Sequence, residues 1–245
     1  MARRIVGISL KMYFGHARAT DWFDRVASLA SAQPAVMNGA VEVFVTPTFL
    51  QVPAAVRAFA GTPVRVGGQD VAAEAEGAYT GEVSASELAE VGAGLAEIGH
   101  AERRRLFGEN DADAARKVAR SLEAGLEPLL CIGESEQQSP EDAAKVAVAQ
   151  LEASLAGAPD GSVIVAYEPV WAIGAPEPAG EDHVRVVAGA LRAALAGRPG
   201  SAVIYGGAAK PGLLTRLGDA VDGVFLGRFA HDPDALMQVI NEAAS

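Results

Sequence analysis

The stretch 111–169, DADAARKVARSLEAGLEPLLCIGESEQQSPEDAAKVAVAQLEASLAGAPDGSVIVAYEP, decides the fold. Its first part, 111–124, spaces apolar residues as one face of a helix, with Asp111 as candidate N-cap and Gly125 as stop. Residues 127–134 then carry Leu129-Leu130-Cys131-Ile132 with no polar break, as a parallel strand buried on both faces should. A second helical run, 140–155, lies between the candidate cap Ser139 and the stop Gly157, and 162–169 reads as another strand.

Outward from this segment the same alternation reaches both ends of the chain. The further strand runs are 4–11, 41–47, 64–70, 94–100, 202–208 and 222–229, and 181–196 is a third clear helix. Eight strand-then-helix units are the number that closes a parallel barrel, whereas open doubly wound sheets usually stop at five or six strands. The predicted fold is a (β/α)8 barrel, and with no linker or charge block in its 245 residues the expected organisation is one domain, 1–245.

In such a barrel, function gathers where strands run out into the following loops. Lys11 closes the first run, His100 the fourth and Glu168 the sixth, while the seventh ends in Gly206-Gly207-Ala208 and the eighth in Gly227-Arg228. A carboxylate emerging from an apolar strand beside Pro169 and Trp171 is expected to be desolvated, which favours its protonated form and makes it a useful base. An imidazole and an ammonium on the same rim could stabilise the oxygens of an enediolate. Glycine turns offer backbone N–H groups to a phosphate.

Other classes fit the composition poorly. The net charge is −11, which argues against nucleic acid and anionic membranes as partners. No apolar run is long enough to span a bilayer and no signal peptide is visible, so a cytoplasmic protein is expected. The single cysteine, Cys131, reads as a buried apolar residue. His16, His183 and His231 lack metal-ligand spacing, and His183 is expected at the surface of its helix. No nucleotide motif occurs, and proton abstraction beside a carbonyl needs no cofactor.

Six stretches together carry a resemblance: Lys11-Met12; Gly77-Ala78-Tyr79-Thr80-Gly81-Glu82; Ile98-Gly99-His100-Ala101-Glu102-Arg103-Arg104; Cys131-Ile132-Gly133-Glu134; Ala166-Tyr167-Glu168-Pro169-Val170-Trp171-Ala172-Ile173-Gly174; and Tyr205-Gly206-Gly207. In this order the chain resembles the triosephosphate isomerase family over essentially its full length. The resemblance implies Glu168 as base, His100 as neutral electrophile, Lys11 as the polarising cation and Glu102 as the acid beside them. It implies substrate contacts at Ser9, Gly174, Ala208, Gly227 and Arg228, a closing lid over 169–179, and a homodimer built through the loop around Thr80. It also implies a place in glycolysis and gluconeogenesis.

The departures from the family pattern gather around the substrate. Ser9 stands for the family's Asn, Leu10 for its Trp, Tyr13 for the Asn after Lys11-Met12, Ala101 for the Ser after the histidine and Ala208 for the Ser of the seventh turn. The lid reads Gly174-Ala175-Pro176-Glu177-Pro178-Ala179, in which Pro176 cannot donate a backbone hydrogen bond. Arg228 either pairs with a phosphate or bridges a rim carboxylate. Four readings follow: the triose phosphate isomerase reaction; isomerisation of a four-carbon ketose phosphate such as erythrulose phosphate, with Ser9 giving room for the extra hydroxymethyl group; a barrel that binds a phosphate ligand without turnover; and phosphate elimination from an enediol poorly held by a stiff lid.

Overall fold

Strands without polar interruptions must be covered on both faces, and closing them on themselves does this on the inside. In the computed structural model, which describes residues 4–173 and 178–245, eight parallel strands form a closed barrel in chain order. They are β1 (Arg4–Ser9), β2 (Val41–Thr46), β3 (Arg65–Gly68), β4 (Leu95–Ile98), β5 (Glu127–Ile132), β6 (Ile164–Tyr167), β7 (Ala202–Tyr205) and β8 (Gly223–Leu226). The barrel shuts where β1 pairs with β8, Ile5 opposite Gly223 and Ile8 opposite Leu226.

Alternate strand residues point inward and fill the barrel with Ile5, Phe44, Leu95, Leu129, Ile164 and Phe225. The fit is close: a Cβ on Gly7 would stand 2.1 Å from the Phe44 ring. The outward residues, among them Val6, Ile8, Val43 and Val45, join the larger core beneath the helices. Cys131 is buried within the barrel.

All eight expected strands are present, and each ends before its apolar run does. The extra residues belong to turns that leave the sheet. Lys11 lies two residues beyond β1 with φ 47°, and it is the one non-glycine residue with positive φ among the described residues. His100 caps the helix Ala101–Phe107, and Glu168 follows the last residue of β6. The helices Asp111–Glu123, Pro140–Ser154 and Glu181–Ala194 lie where the pattern puts them, and Ser139 caps the second. The first cap is corrected: Asn110, not Asp111, accepts from the Asp113 N–H, and the Asp113 side chain returns to the Asn110 N–H in a capping box.

His183 is a second correction. Its ring is buried between Tyr167 and Trp171, and Nε2 lies 3.1 Å from Glu134 Oε1 and 2.9 Å from Tyr167 Oη. The Trp171 indole N–H donates to the same carboxylate at 2.7 Å. Glu134 thus ties the start of the expected lid to β6 and to the helix that follows. At the other end, Ala179 N–H donates to Tyr205 Oη at 3.1 Å. Gly174, Ala175, Pro176 and Glu177 lie outside the described residues.

Candidate active site

The carboxyl ends of the strands enclose a cavity of about 500 Å³. Ser9, Lys11, His100, Glu102, Glu168, Ala208, Gly227 and Arg228 all line it, so the described residues that the sequence singles out meet in one place. Among the lining residues that it does not single out are Arg105, Ala209 and Lys210.

Each polar group is held by backbone geometry as much as by its neighbours. The left-handed turn at Lys11 costs on the order of 1–3 kcal/mol and is pinned by Gln69, whose amide donates to the carbonyls of Lys11 at 3.0 Å and Thr46 at 2.9 Å. It directs Nζ to Glu102 Oε1 at 2.7 Å. Burial works to raise the Glu102 pKa, but the hydrogen bond and charge of Lys11 outweigh it and hold the carboxyl below the ordinary value.

His100 is oriented by the helix it caps. Its Nδ1 accepts from the Glu102 N–H at 3.1 Å, so in the neutral ring the proton sits on Nε2 and points into the site. That nitrogen is 3.4 Å from Glu168 Oε1 and 4.0 Å from Glu97 Oε1. Glu168 is almost fully buried, and its Oε2 accepts from the Ala101 N–H at 3.2 Å. Two glycines make its position possible: a Cβ on Gly133 would stand 1.8 Å from the Glu168 carbonyl oxygen, and one on Gly206 2.7 Å from its Cγ.

The two glycine-bearing turns, 206–209 and 227–229, also line the cavity. Arg228 reaches over the Tyr13 ring at 5.9 Å and forms no ion pair with any described residue, so the carboxylate-bridge reading finds no partner there. Lys210 likewise has no ion-pair partner among the described residues. The site therefore sets a buried carboxylate and an imidazole against a rim of backbone N–H groups and free cations. Such a site can move a proton on carbon while holding an anion in place. No group of three or more metal-ligating side chains occurs among the described residues.

Comparison with known proteins agrees with this geometry. The family profile described as triosephosphate isomerase matches residues 4–243. The chain is 45% identical over 245 residues to an L-erythrulose-1-phosphate isomerase of Pectobacterium atrosepticum, covering 97% of this chain and 95% of that one. It is 43% identical over 178 residues to a triosephosphate isomerase of Thermus thermophilus, covering 71% and 69%. A Mesorhizobium japonicum L-erythrulose-1-phosphate isomerase is 35% identical over 251 residues, covering 98% and 97%.

Proposed function

The chain belongs to the triosephosphate isomerase family and is a sugar-phosphate isomerase, and from that premise we propose how its cavity works and on what. Glu168 removes a proton from the hydroxyl-bearing carbon beside the substrate carbonyl. The electron pair moves onto the carbonyl oxygen, where the His100 Nε2–H and the Lys11 ammonium meet the growing negative charge. His100 gives its Nε2 proton to that oxygen and takes the proton of the neighbouring hydroxyl in exchange, and Glu168 returns the carbon-bound proton to the old carbonyl carbon, so the reaction balances without a cofactor. The observation that carries this reading is the convergence of Glu168 and His100, at 3.4 Å, on a cavity also lined by two glycine turns. The substrate displaces the single Ala101 N–H bond to Glu168, and backbone N–H groups at Ala208, Gly227 and Arg228 receive its phosphate.

Triose phosphates and a four-carbon ketose phosphate both suit this chemistry, since each passes through an enediolate beside a phosphate ester. The cavity walls favour the longer substrate. Ser9 and Ala101 are small where the family has larger or hydroxylated side chains, and both line the cavity next to the proton-transfer groups. The two relatives named for erythrulose phosphate also match almost end to end. In that reaction the proton moves between two internal carbons and the extra hydroxymethyl group occupies the space beside Ser9.

A homodimer through the loop around Thr80 belongs to the same proposal. That loop is exposed, and Met12, Leu50 and Phe107 are exposed at 90%, 89% and 70%, more apolar surface than a lone barrel is expected to leave in water. A cytoplasmic setting fits too: no described helix is long and apolar enough to cross a membrane.

The test is turnover of purified protein on glyceraldehyde 3-phosphate and L-erythrulose 1-phosphate in parallel, with Glu168→Gln as control. Preference for erythrulose phosphate, abolished in the control, supports the proposal. Preference for the triose returns the chain to the family's usual substrate. Full activity in the control overturns the role given to Glu168, and inorganic phosphate released as fast as product would mean elimination.

A further inference from the structure

Beneath the cavity floor lies an acid that this proton transfer does not use. Glu97, on β4, alternates with Leu95 and so points into the barrel, where it is 2% exposed. Its Oε2 is 2.6 Å from Thr46 Oγ1 on β2, and its Oε1 is 4.0 Å from His100 Nε2. No lysine or arginine among the described residues forms an ion pair with it. The charged and titratable groups that act on it or feel it are His100 at the end of its own strand, Lys11 after β1, Glu168 after β6 and Cys131 on β5. Lys11 is already engaged by Glu102.

Burial favours the uncharged acid over the hydrogen bond that opposes it. The Thr46 hydroxyl donates to Glu97 Oε2 at 2.6 Å, a bond that favours the charged form. Desolvation outweighs it, pushing the Glu97 pKa up to about 7 against the pull of His100 and the Thr46 hydroxyl.

We propose that Glu97 is a positioning residue for the isomerisation, acting through His100: uncharged it leaves the Nε2–H to the substrate oxygens, and ionised it disables the ring. The inference rests on the roles given to His100 and Glu168 above. With Glu97 charged, Nε2 faces two carboxylates at once. Its hydrogen is drawn toward them, and a negative charge sits below the place where the enediolate must form. The resulting loss lies in kcat rather than in substrate affinity.

The experiment follows kcat against pH for the wild type, Glu97→Gln and Thr46→Val, with NMR titration of the His100 ring in the same samples. The substrate phosphate titrates in this range as well, so kcat at saturation is the quantity to read. The wild type is expected to lose roughly tenfold or more in kcat between about pH 6 and pH 9. The midpoint is expected near 7, with an inflection of the His100 resonances at the same pH. Glu97→Gln, permanently uncharged, is expected to show a flat alkaline limb and no such inflection. Thr46→Val removes a hydroxyl that stabilises the carboxylate, so its midpoint moves to higher pH. A wild type with no alkaline loss, a Glu97→Gln variant that keeps it, or an unmoved midpoint in Thr46→Val overturns the inference. Thr46→Val keeps the test open should Glu97→Gln fail to fold. The NMR inflection reads Glu97 without turnover, so its presence in a protein inactive on both sugars would sink the proposed substrates and not this coupling.

Discussion

Two clusters of buried charge flank the end of β4, and they are built on opposite principles. On the outer side, Lys117 Nζ meets Asp70 Oδ1 at 2.6 Å and Glu109 Oε2 at 2.7 Å, while Arg103 meets Asp70 Oδ2 at 2.7 Å and Glu109 Oε2 at 2.8 Å. The remaining oxygen, Glu109 Oε1, accepts the Gly99 N–H at 2.8 Å. Two acids face two bases, and every carboxylate oxygen has a donor. On the inner side, three acids (Glu97, Glu102 and Glu168) share one lysine and one histidine, and the only lysine is paired with Glu102. The closed cluster fixes the backbone at Gly99, immediately before His100. The open one leaves groups free to exchange protons. Balance marks structure here, and imbalance marks chemistry.

The sharpest test of that contrast is a pair of substitutions. Glu168→Gln removes a charge from the open cluster and is expected to lower kcat by about 10³-fold, within the range for a lost general base. Its denaturant midpoint should stay level or rise, because an under-neutralised buried charge has gone. Lys117→Met opens the closed cluster and leaves Asp70 and Glu109 to share Arg103, one cation short, which costs up to about 3–5 kcal/mol of stability. Its kcat per folded molecule is expected within about threefold of the wild type, as for a change that touches no substrate. Urea unfolding and steady-state turnover on both variants read the four quantities. If Lys117→Met were as inactive as Glu168→Gln while still folded, the division between the clusters would fail.

A smaller effect separates the clusters by pH. The Glu97 carboxyl has its ordinary value near 4.5 when unfolded and about 7 when folded. Between those values the folded chain holds a proton that the unfolded chain releases, so the contribution is fully present below about 4.5 and is lost as pH rises through about 7. The full loss is of the order of 3–4 kcal/mol, since each tenfold change in proton affinity is worth about 1.4 kcal/mol. Asp70, raised by burial, slopes the same way, whereas Glu102 and Glu109, whose cations outweigh the effect of burial and hold them low, lose their contribution only in more acid solution. The difference between wild type and Glu97→Gln isolates one residue: stability measured at about pH 5 and pH 8 should converge in the variant. An equal drop in both proteins would assign the slope to Asp70 and its neighbours.

Sequence alone makes the barrel legible because strands covered on both faces leave unbroken apolar runs, and helices announce themselves by caps such as Ser139. It overruns every strand end for a physical reason: the apolar pattern continues into turns, and the hydrogen-bond ladder, which stops the strand, leaves no mark in composition. The surface position expected for His183 is wrong although the signal for burial is present, since Val184, Val187, Ala188 and Leu191 bury the same helical face. Glu97 is harder. Its two-residue spacing from Leu95 puts both on one face of β4, but only the closed barrel shows that this face is the interior and that His100 lies above it. Arg105 lies in the short helix Ala101–Phe107 and Lys210 in the turn after β7, both just beyond the matched motifs.

The smallest expected effect concerns the cations at the mouth. Arg228 is exposed, packs over the Tyr13 ring at 5.9 Å and has no carboxylate partner among the described residues, unlike Arg103 of the closed cluster. A guanidinium in that position is free for a phosphate but must give up water to meet it. Its worth is therefore near that of other exposed charge pairs, about 1 kcal/mol or a little less. Arg228→Gln is expected to raise KM by about three- to fivefold, with most of the loss in KM rather than kcat. The effect should shrink as salt is raised, because solvent-exposed attraction is screened over about 10 Å at 0.1 M. The measurement is KM for the better sugar phosphate at low and high ionic strength in both proteins. A loss that fell on kcat and ignored salt would place Arg228 with Lys11 in the transition state, and the open cluster would then extend across the whole cavity to β8.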